Sequence, residues 1–215
     1  MRFALFHHSH ILKHIPNMAQ KKEEKFNLVQ NRMEESIVLK RKIQDELTEK
    51  IIELSELLAE CIKNGGKLLL CGNGGSAADA QHFAGELVVR LSSDYTRSAL
   101  PAITLSSNDY VLTACANDFG FEQVFSRQIE ALGKPEDVLL CISTSGNSPN
   151  LITAAQKAKE KNMKTVGLLG RDGGKLKNLS DLSIIVPSSN TPRIQETHIC
   201  ICHILCELIE KELFG

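Results

Sequence analysis

The chain has 215 residues, and its 25 Lys and Arg residues nearly balance its 26 Asp and Glu residues. This balance excludes binding of nucleic acid by a basic surface alone, and a hydrophobic content of 42% excludes a disordered chain. Since no apolar run reaches the roughly 18–20 residues of a membrane span, we expect no membrane segment. The length fits one α/β domain with an added helical region.

The first 17 residues contain four of the seven histidines and only a short apolar patch. They lack the long apolar stretch and the cleavage site of a signal peptide. A metal-binding tail and a poorly ordered extension are both open interpretations, and Met18 is a candidate for the native start. We predict a disordered extension over residues 1–24.

A helical pattern follows over residues 25–64, where apolar residues recur three or four positions apart. Pro and Gly are absent until Asn64, Gly65 and Gly66, which end the helix. The pattern predicts one long helix or two in series. Because an apolar stripe of this length needs a partner, we expect the region both to cover the α/β core and to pair with another subunit.

From residue 65 to residue 215, short apolar runs alternate with helical segments. The runs predict strands over 67–71, 101–105, 138–142, 165–169 and 183–186. Helices are predicted over 76–91, 109–116, 121–132, 148–161 and 193–213. Because the runs do not alternate with polar residues, we expect strands buried on both faces, in an α/β fold with a doubly wound, mostly parallel sheet.

Seven cysteines, without a C-x-x-C pair, do not match the disulfide framework of a secreted protein. We therefore expect reduced cysteines and a cytoplasmic location. Cys200, Cys202 and Cys206 lie close to His203 in the sequence. They are either thiolate ligands of a metal or small core residues on a buried helix.

Two turns follow predicted strands and open predicted helices. The turn from Gly72 to Ser76 offers backbone N–H groups at a helix N-terminus, which suits an anion. The alternative is a tight structural turn with Ser76 as the N-cap. The second turn carries four hydroxyl side chains that can surround a phosphate without a lysine: Ser143, Thr144, Ser145 and Ser148. Together the turns predict a small phosphorylated ligand.

Two helices carry residues with metal-ligand chemistry. His82 and Glu86 share one helix face, and Gln195 and His203 lie two turns apart on the last helix. Two imidazoles, a carboxylate and an amide oxygen form a ligand set for Zn²⁺ or another divalent metal. The alternative is a group of polar residues that satisfy one another in a helix interface.

Three segments resemble those of the phosphoheptose isomerases, a family of sugar-isomerase (SIS) domain proteins: GNGGSAADAQHFAGEL from Gly72, STSGNSPN from Ser143 and TPRIQETHICICH from Thr191. The resemblance covers about residues 25–213. It implies a three-layer SIS fold, with a five-stranded parallel sheet flanked by helices, over residues 65–215. It also implies a homotetramer with active sites between subunits, in which the helical region 25–64 serves oligomerisation.

The resemblance implies a role for each matching residue. The implied substrate-binding residues are Asn73, Gly74, Gly75, Ser76, Glu86, Arg90, Asn117, Asp118, Ser143, Thr144, Ser145, Ser148 and Gln195. The implied ligands of a Zn²⁺ ion in each subunit are His82, Glu86, Gln195 and His203. For catalysis we expect Glu86 to act as the base at the carbon, and His203 to move protons at O1 and O2.

The implied activity is aldose–ketose isomerisation of sedoheptulose 7-phosphate to D-glycero-D-manno-heptose 7-phosphate through an enediol or enediolate. This activity would supply heptose for lipopolysaccharide or a related glycan. The implied partner of the protein is a sugar phosphate, and neither nucleic acid nor a membrane is expected as a partner. Two alternatives stay open: a non-catalytic SIS module that binds a replication initiator or senses sugar phosphates, and an isomerase of hexose or pentose phosphates. Gly75 and Glu86 favour the enzyme, because initiator-binding relatives typically alter the corresponding positions.

Overall fold

The computed structural model describes residues 18–93 and 96–215. A five-stranded sheet lies between two helical layers, as predicted. Its strands are β1 (Leu68–Gly72), β2 (Ala102–Thr104), β3 (Val138–Ser143), β4 (Lys164–Gly170) and β5 (Leu182–Val186). The α-helices are α1 (Met18–Lys63), α2 (Gly75–Val88), α3 (Asp109–Phe119), α4 (Ser126–Leu132), α5 (Pro149–Glu160) and α6 (Thr191–Phe214).

The sheet is entirely parallel and has the strand order β2-β1-β3-β4-β5. The chain passes from β1 to β2 on one side and then to β3 on the other side of β1. This reversal opens a crevice at the carboxyl ends of β1 and β3, which is where open α/β folds bind ligands. Because Gly72 pairs with Ile142, the loops that follow the two strands are neighbours.

Successive strand residues point into two separate cores. Leu68 and Leu70 pack with α1, α2 and α6 on one face of the sheet. Leu69 and Cys71 pack with α3, α4 and α5 on the other face. All residues of β1 and β3 are buried. The strands therefore need apolar side chains on both faces, which explains their unalternating sequence.

The N-terminal region is one helix of 46 residues, about 69 Å long at 1.5 Å per residue. It begins at Met18, so the predicted disordered extension over 1–24 is corrected for residues 18–24. These residues are mostly good helix formers and include neither Pro nor Gly. The predictions for the histidine-rich segment 1–17 lie outside the described residues.

Two further differences concern short helical turns. The helix predicted over 121–132 is divided into a 3₁₀ turn, Phe121–Gln123, and α4. The hydroxyl of Ser126 bonds to Gln123 at the division, where it competes with helical backbone bonding. A second 3₁₀ turn, Lys175–Asn178, was not predicted.

All seven cysteines are free, as expected. Cys202 and Cys206 are buried in the core between α1, α2 and α6, and Cys200 is half-buried. Burial raises the pKa of both buried thiols and disfavours the thiolate form that binds metals. This supports their interpretation as core residues. Among the described residues, no helix has both the length and the apolar character needed to cross a membrane.

Candidate functional site

The turn after β1 leads directly into α2. Gly74 is the N-cap of this helix and has a φ of 55°, a conformation that favours glycine. Ser76 is buried in the first turn, and no side chain caps the helix, so the predicted N-cap role of Ser76 is wrong. The positive φ of Gly74 places the N-cap two residues earlier than Ser76. Asn73 and the exposed Gly74 and Gly75 therefore form the rim of the crevice.

The turn after β3 is arranged around its own hydroxyl groups. The buried Ser143 accepts a hydrogen bond from the N–H of Gly146 through Oγ, at 3.0 Å. Ser143 therefore shapes the turn, while Thr144, Ser145 and Ser148 are half-buried at its rim. Ser148 is the N-cap of α5, so the positive end of that helix also faces the crevice.

The loop after β4 supports the turn after β3, a role that sequence reasoning missed. Gly146 has a φ of 63°, and a Cβ on this residue would overlap the carbonyl oxygen of Gly173. The Asn147 amide donates to the Ser145 carbonyl at 2.9 Å and accepts from the Lys175 N–H at 3.1 Å. These contacts tie the two loops together. The only local sequence signal for this support was the pair Gly173-Gly174 in the loop after β4.

Asn150 is a second residue that sequence reasoning missed. Its side-chain amide exchanges two hydrogen bonds with that of Asn73, both at 2.9 Å. Asn150 is only 2% exposed, and it lies in the first turn of α5. The pair therefore holds the turn after β1 against the start of α5. It also orients the amide of Asn73, for which the family resemblance implies a substrate-binding role.

His82, Glu86 and His203 come together from α2 and α6. The Nε2 atoms of the two histidines are 2.9 Å apart, and His82 Nε2 lies 3.2 Å from Glu86 Oε1. All three ligand atoms lie within 4.8 Å of one another. Two ligand atoms of one tetrahedral zinc ion are about 3.4 Å apart for bonds of about 2.0–2.1 Å. The three side chains thus fit a divalent metal in both chemistry and spacing.

Gln195 lies farther along the same helix pair. Its side chain packs against Gly75, where a Cβ would overlap its amide nitrogen. The helices α2 and α6 run side by side in the same direction, with Gln195 beside Gly75 and His203 beside His82. The two contacts are about 10 Å apart, since seven residues separate Gly75 from His82. The structure thus assembles three of the four predicted ligands, and a metal bond from Gln195 stays a prediction.

The other predicted substrate residues lie on the surface. Arg90 is exposed just after the end of α2. Asn117 and Asp118 are exposed near the end of α3 and hydrogen-bond to each other at 2.8 Å. Asp118 lines a groove of about 530 Å³ between α3 and α4, and no other predicted site residue lines it. Their substrate roles stay predictions.

Two further ionisable groups lie on the helices α2 and α6. Burial raises the pKa of the Asp79 carboxyl to about 6, although His82 acts to lower it. The Oδ2 atom of Asp79 is buried without a hydrogen-bond partner among the described residues. Burial lowers the pKa of His198 to about 4, although its Nε2 lies 3.0 Å from the Leu169 carbonyl oxygen. His198 is therefore neutral at pH 7.

We expect His198 to make the protein less stable in acid. Its folded pKa of about 4 lies below the unfolded value of 6.5, so the stabilisation is complete above pH 6.5 and is lost as the pH falls towards 4. Between pH 7 and pH 5 this loss is about 2 kcal/mol. Urea unfolding of the metal-free protein measures it. His198→Gln should show a smaller loss, and an unchanged pH dependence in this variant would contradict the assignment.

Comparison with known proteins gives consistent matches. The family model of the SIS domain matches residues 33–170. The phosphoheptose isomerase of Trichlorobacter lovleyi is 51% identical over 189 residues, which cover 88% of this chain and 95% of the relative. The phosphoheptose isomerase of Helicobacter pylori strain P12 is 56% identical over 171 residues, with coverages of 80% and 88%.

Solved structures show the same fold. The phosphoheptose isomerase of Neisseria gonorrhoeae has a TM-score of 0.81 at 44% identity, and the match covers 86% of this chain and 98% of that one. The corresponding protein of Francisella tularensis has a TM-score of 0.83 at 38% identity, with coverages of 87% and 98%. The five-stranded parallel sheet and its helices are therefore arranged as in these structures.

Proposed function

Because this chain belongs to the phosphoheptose isomerase family of SIS-domain proteins, we propose that it interconverts sedoheptulose 7-phosphate and D-glycero-D-manno-heptose 7-phosphate. The proposal extends the activity named for the relatives to this chain. Its structural support is the group formed by His82, Glu86 and His203 within 4.8 Å.

The reaction moves a proton between C1 and C2 of the sugar through an enediol or enediolate. It needs a base at the carbon and a second group that moves protons at the oxygens. We assign Glu86 as the base and His203 as the group at O1 and O2. Both side chains are partly accessible, and His82 lies beside each of them. One small group of side chains can therefore serve both proton transfers.

A divalent metal fits the same side chains. His82, Glu86 and His203 would hold it, with Gln195 as the proposed fourth ligand, and Zn²⁺ is the ion we propose. When bound, the ion supplies Lewis-acid polarisation of the substrate carbonyl. Glu86 would then be both a ligand and the base, and metal coordination weakens a carboxylate as a base. The zinc content of Glu86 variants separates the two roles.

The phosphate would bind at the turn after β3. Thr144, Ser145 and Ser148 present hydroxyls at its rim, and the N-terminus of α5 adds a partial positive charge. No lysine is needed, which agrees with the near-zero net charge. The metal group lies away from this turn, beyond the first turns of α2. A substrate that carries its phosphate far from its reacting carbons suits this layout.

Ser145→Ala should mainly weaken substrate binding. A hydrogen bond to a charged group contributes about 1.5–3 kcal/mol, which corresponds to a KM about 10- to 100-fold higher. Steady-state kinetics measures KM and kcat separately. Ser189→Ala, at an exposed position between β5 and α6, is the control. An unchanged KM in Ser145→Ala would count against the phosphate role of this turn.

We also propose a homotetramer with sites between subunits. The first half of α1 has no buried residue before Leu39, and it exposes large apolar side chains: Phe26, Leu28, Val29, Met33, Ile37 and Val38. Exposed apolar rows of this kind favour association with other subunits. Such an assembly would also bring exposed residues such as Arg90 to a neighbouring site. Analytical ultracentrifugation measures the subunit number.

The proposed location is the cytoplasm, and the proposed pathway is the supply of heptose for lipopolysaccharide or a related glycan. The seven free cysteines support a reducing compartment. The pathway follows from the product, since a heptose phosphate is a precursor for heptose-containing glycans.

The test is to incubate the purified protein with sedoheptulose 7-phosphate and to assay the aldose product, with metal analysis in parallel. We expect formation of the heptose phosphate and loss of activity on chelation, restored by Zn²⁺. Hexose and pentose phosphates are the comparison substrates. Absence of the aldose product from zinc-loaded protein would refute the proposed activity.

A further inference from the structure

Arg97 is a buried arginine outside the site residues described so far. Its side chain is 1% exposed, and its Nε donates to Oε1 of Glu210 at 2.7 Å. Glu210 lies on α6 and is 2% exposed. A buried ion pair of this kind is destabilising unless its remaining hydrogen-bonding groups are satisfied.

The remaining N–H groups of Arg97 bind the end of α2. Nη2 donates to the carbonyl oxygen of Glu86 at 2.9 Å, and Nη1 donates to that of Leu87 at 2.9 Å. Nη1 also bonds to the Ser98 carbonyl at 3.0 Å. The last four carbonyls of a helix have no partner within it, so Arg97 satisfies groups that α2 leaves open. Its positive charge also suits the negative end of the helix dipole.

The Arg97–Glu210 ion pair is the third contact along the helices α2 and α6. Gly75 meets Gln195 at the first contact, and His82 meets His203 at the second. Glu210 lies seven residues after His203, and therefore on the same face of α6 about 10 Å farther along. The metal group thus lies between two points at which the helices are held together. At the far point, the connection runs through the Arg97 guanidinium.

We infer that Arg97 is a positioning residue, which holds the end of α2 against α6 and so sets the spacing of His82 and Glu86 relative to His203. Glu210 is its partner in this role. The inference rests on the proposed function only for the chemistry at these three side chains. A displacement of about 1 Å at reacting groups costs about 100-fold in rate, so a connection close to Glu86 matters for catalysis.

The variants separate positioning from stability. Arg97→Lys keeps a positive charge for Glu210, but an ammonium group cannot bind the carboxylate and the two helix carbonyls in the same planar arrangement. The double variant Arg97→Met with Glu210→Met replaces the buried pair by apolar side chains, which is often neutral for stability. Lys63→Met is the matched control, because it removes the exposed Lys63–Glu212 ion pair between α1 and α6.

The deciding measurement is the His82 Nε2–His203 Nε2 separation in crystals of the folded double variant, compared with the same distance in the wild type. We expect it to lengthen by about 1 Å, with a fall of about 100-fold in kcat, a fall of about 10- to 100-fold in zinc affinity and little change in KM. Arg97→Lys should change in the same direction, and Lys63→Met should match the wild type. An unchanged separation in the double variant overturns the inference. Lack of isomerase activity in the wild type would instead refute the proposed function, and the separation would still test the role of Arg97.

Discussion

Glu86→Gln should leave the fold and phosphate binding intact and lower kcat for isomerisation by about 10²- to 10⁴-fold. Glutamine has nearly the same shape, and its amide oxygen can still accept a hydrogen bond from His82, which lies 3.2 Å from the carboxylate. The amide cannot take the proton from the sugar carbon. Steady-state kinetics with sedoheptulose 7-phosphate measures the loss, and thermal unfolding reports the fold.

The control for this variant is Glu53→Gln at an exposed position on α1, where we expect no change in kcat. Zinc analysis of the Glu86 variant then separates its two proposed roles. Normal zinc content with lost turnover identifies Glu86 as the base, whereas loss of zinc identifies it mainly as a ligand. Turnover near that of the wild type would refute both roles.

Gly146→Ala should disrupt the turn after β3 more than an added Cβ at any other glycine of the site would. Gly146 has a φ of 63°, and the added Cβ would overlap the Gly173 carbonyl oxygen. A backbone atom cannot swing away as the end of a long side chain can, so the two loops must separate. The left-handed conformation alone costs a residue with a Cβ about 1–2 kcal/mol. We expect the free energy of unfolding of Gly146→Ala to fall by more than this amount, and we expect KM to rise.

The matched control is Gly65→Ala. Gly65 also has a positive φ, 81°, but a Cβ there meets nothing within 4 Å. The free energy of unfolding of this variant should fall only by the cost of the left-handed conformation, and its KM should be unchanged. Urea unfolding and steady-state kinetics of both variants measure the difference. If the two variants lose equal stability, or if Gly146→Ala has a normal KM, the loop after β4 does not support the turn after β3.

Local patterns predicted the elements well. The apolar runs identified all five strands. In β1 and β3 every residue is buried, and a strand buried on both faces cannot tolerate polar side chains at alternate positions. The edge strand β2 is partly exposed instead, so burial on both faces was a wrong prediction for it. Both loops of the crevice were found for a related reason: each follows a strand buried on both faces, and the carboxyl ends of parallel strands meet at one edge. The incorrect N-cap assignment of Ser76 has a local cause too, since the positive φ of Gly74 was not visible in the sequence.

Contacts between distant segments were harder to predict. The pairing of His82 with Glu86 follows from helix spacing. Their meeting with His203 was one of two open interpretations of the residue types, and only the resemblance to a known family favoured it. Asn150 and Arg97 carried no local signal at all. Each is an ordinary polar residue whose partners lie on another element, so its role appears only when that element packs beside it.

The sequence by itself determined the α/β class, the order of the elements and the residue types able to hold a phosphate and a metal. These properties depend on side-chain periodicity and on chemistry within a few residues. Only the tertiary structure decided that α2 and α6 run side by side, so that His82 and His203 approach to 2.9 Å. It also decided that the loop after β4 supports the turn after β3. Such contacts depend on how whole helices and strands bury their apolar faces together, and no short stretch of sequence specifies that packing.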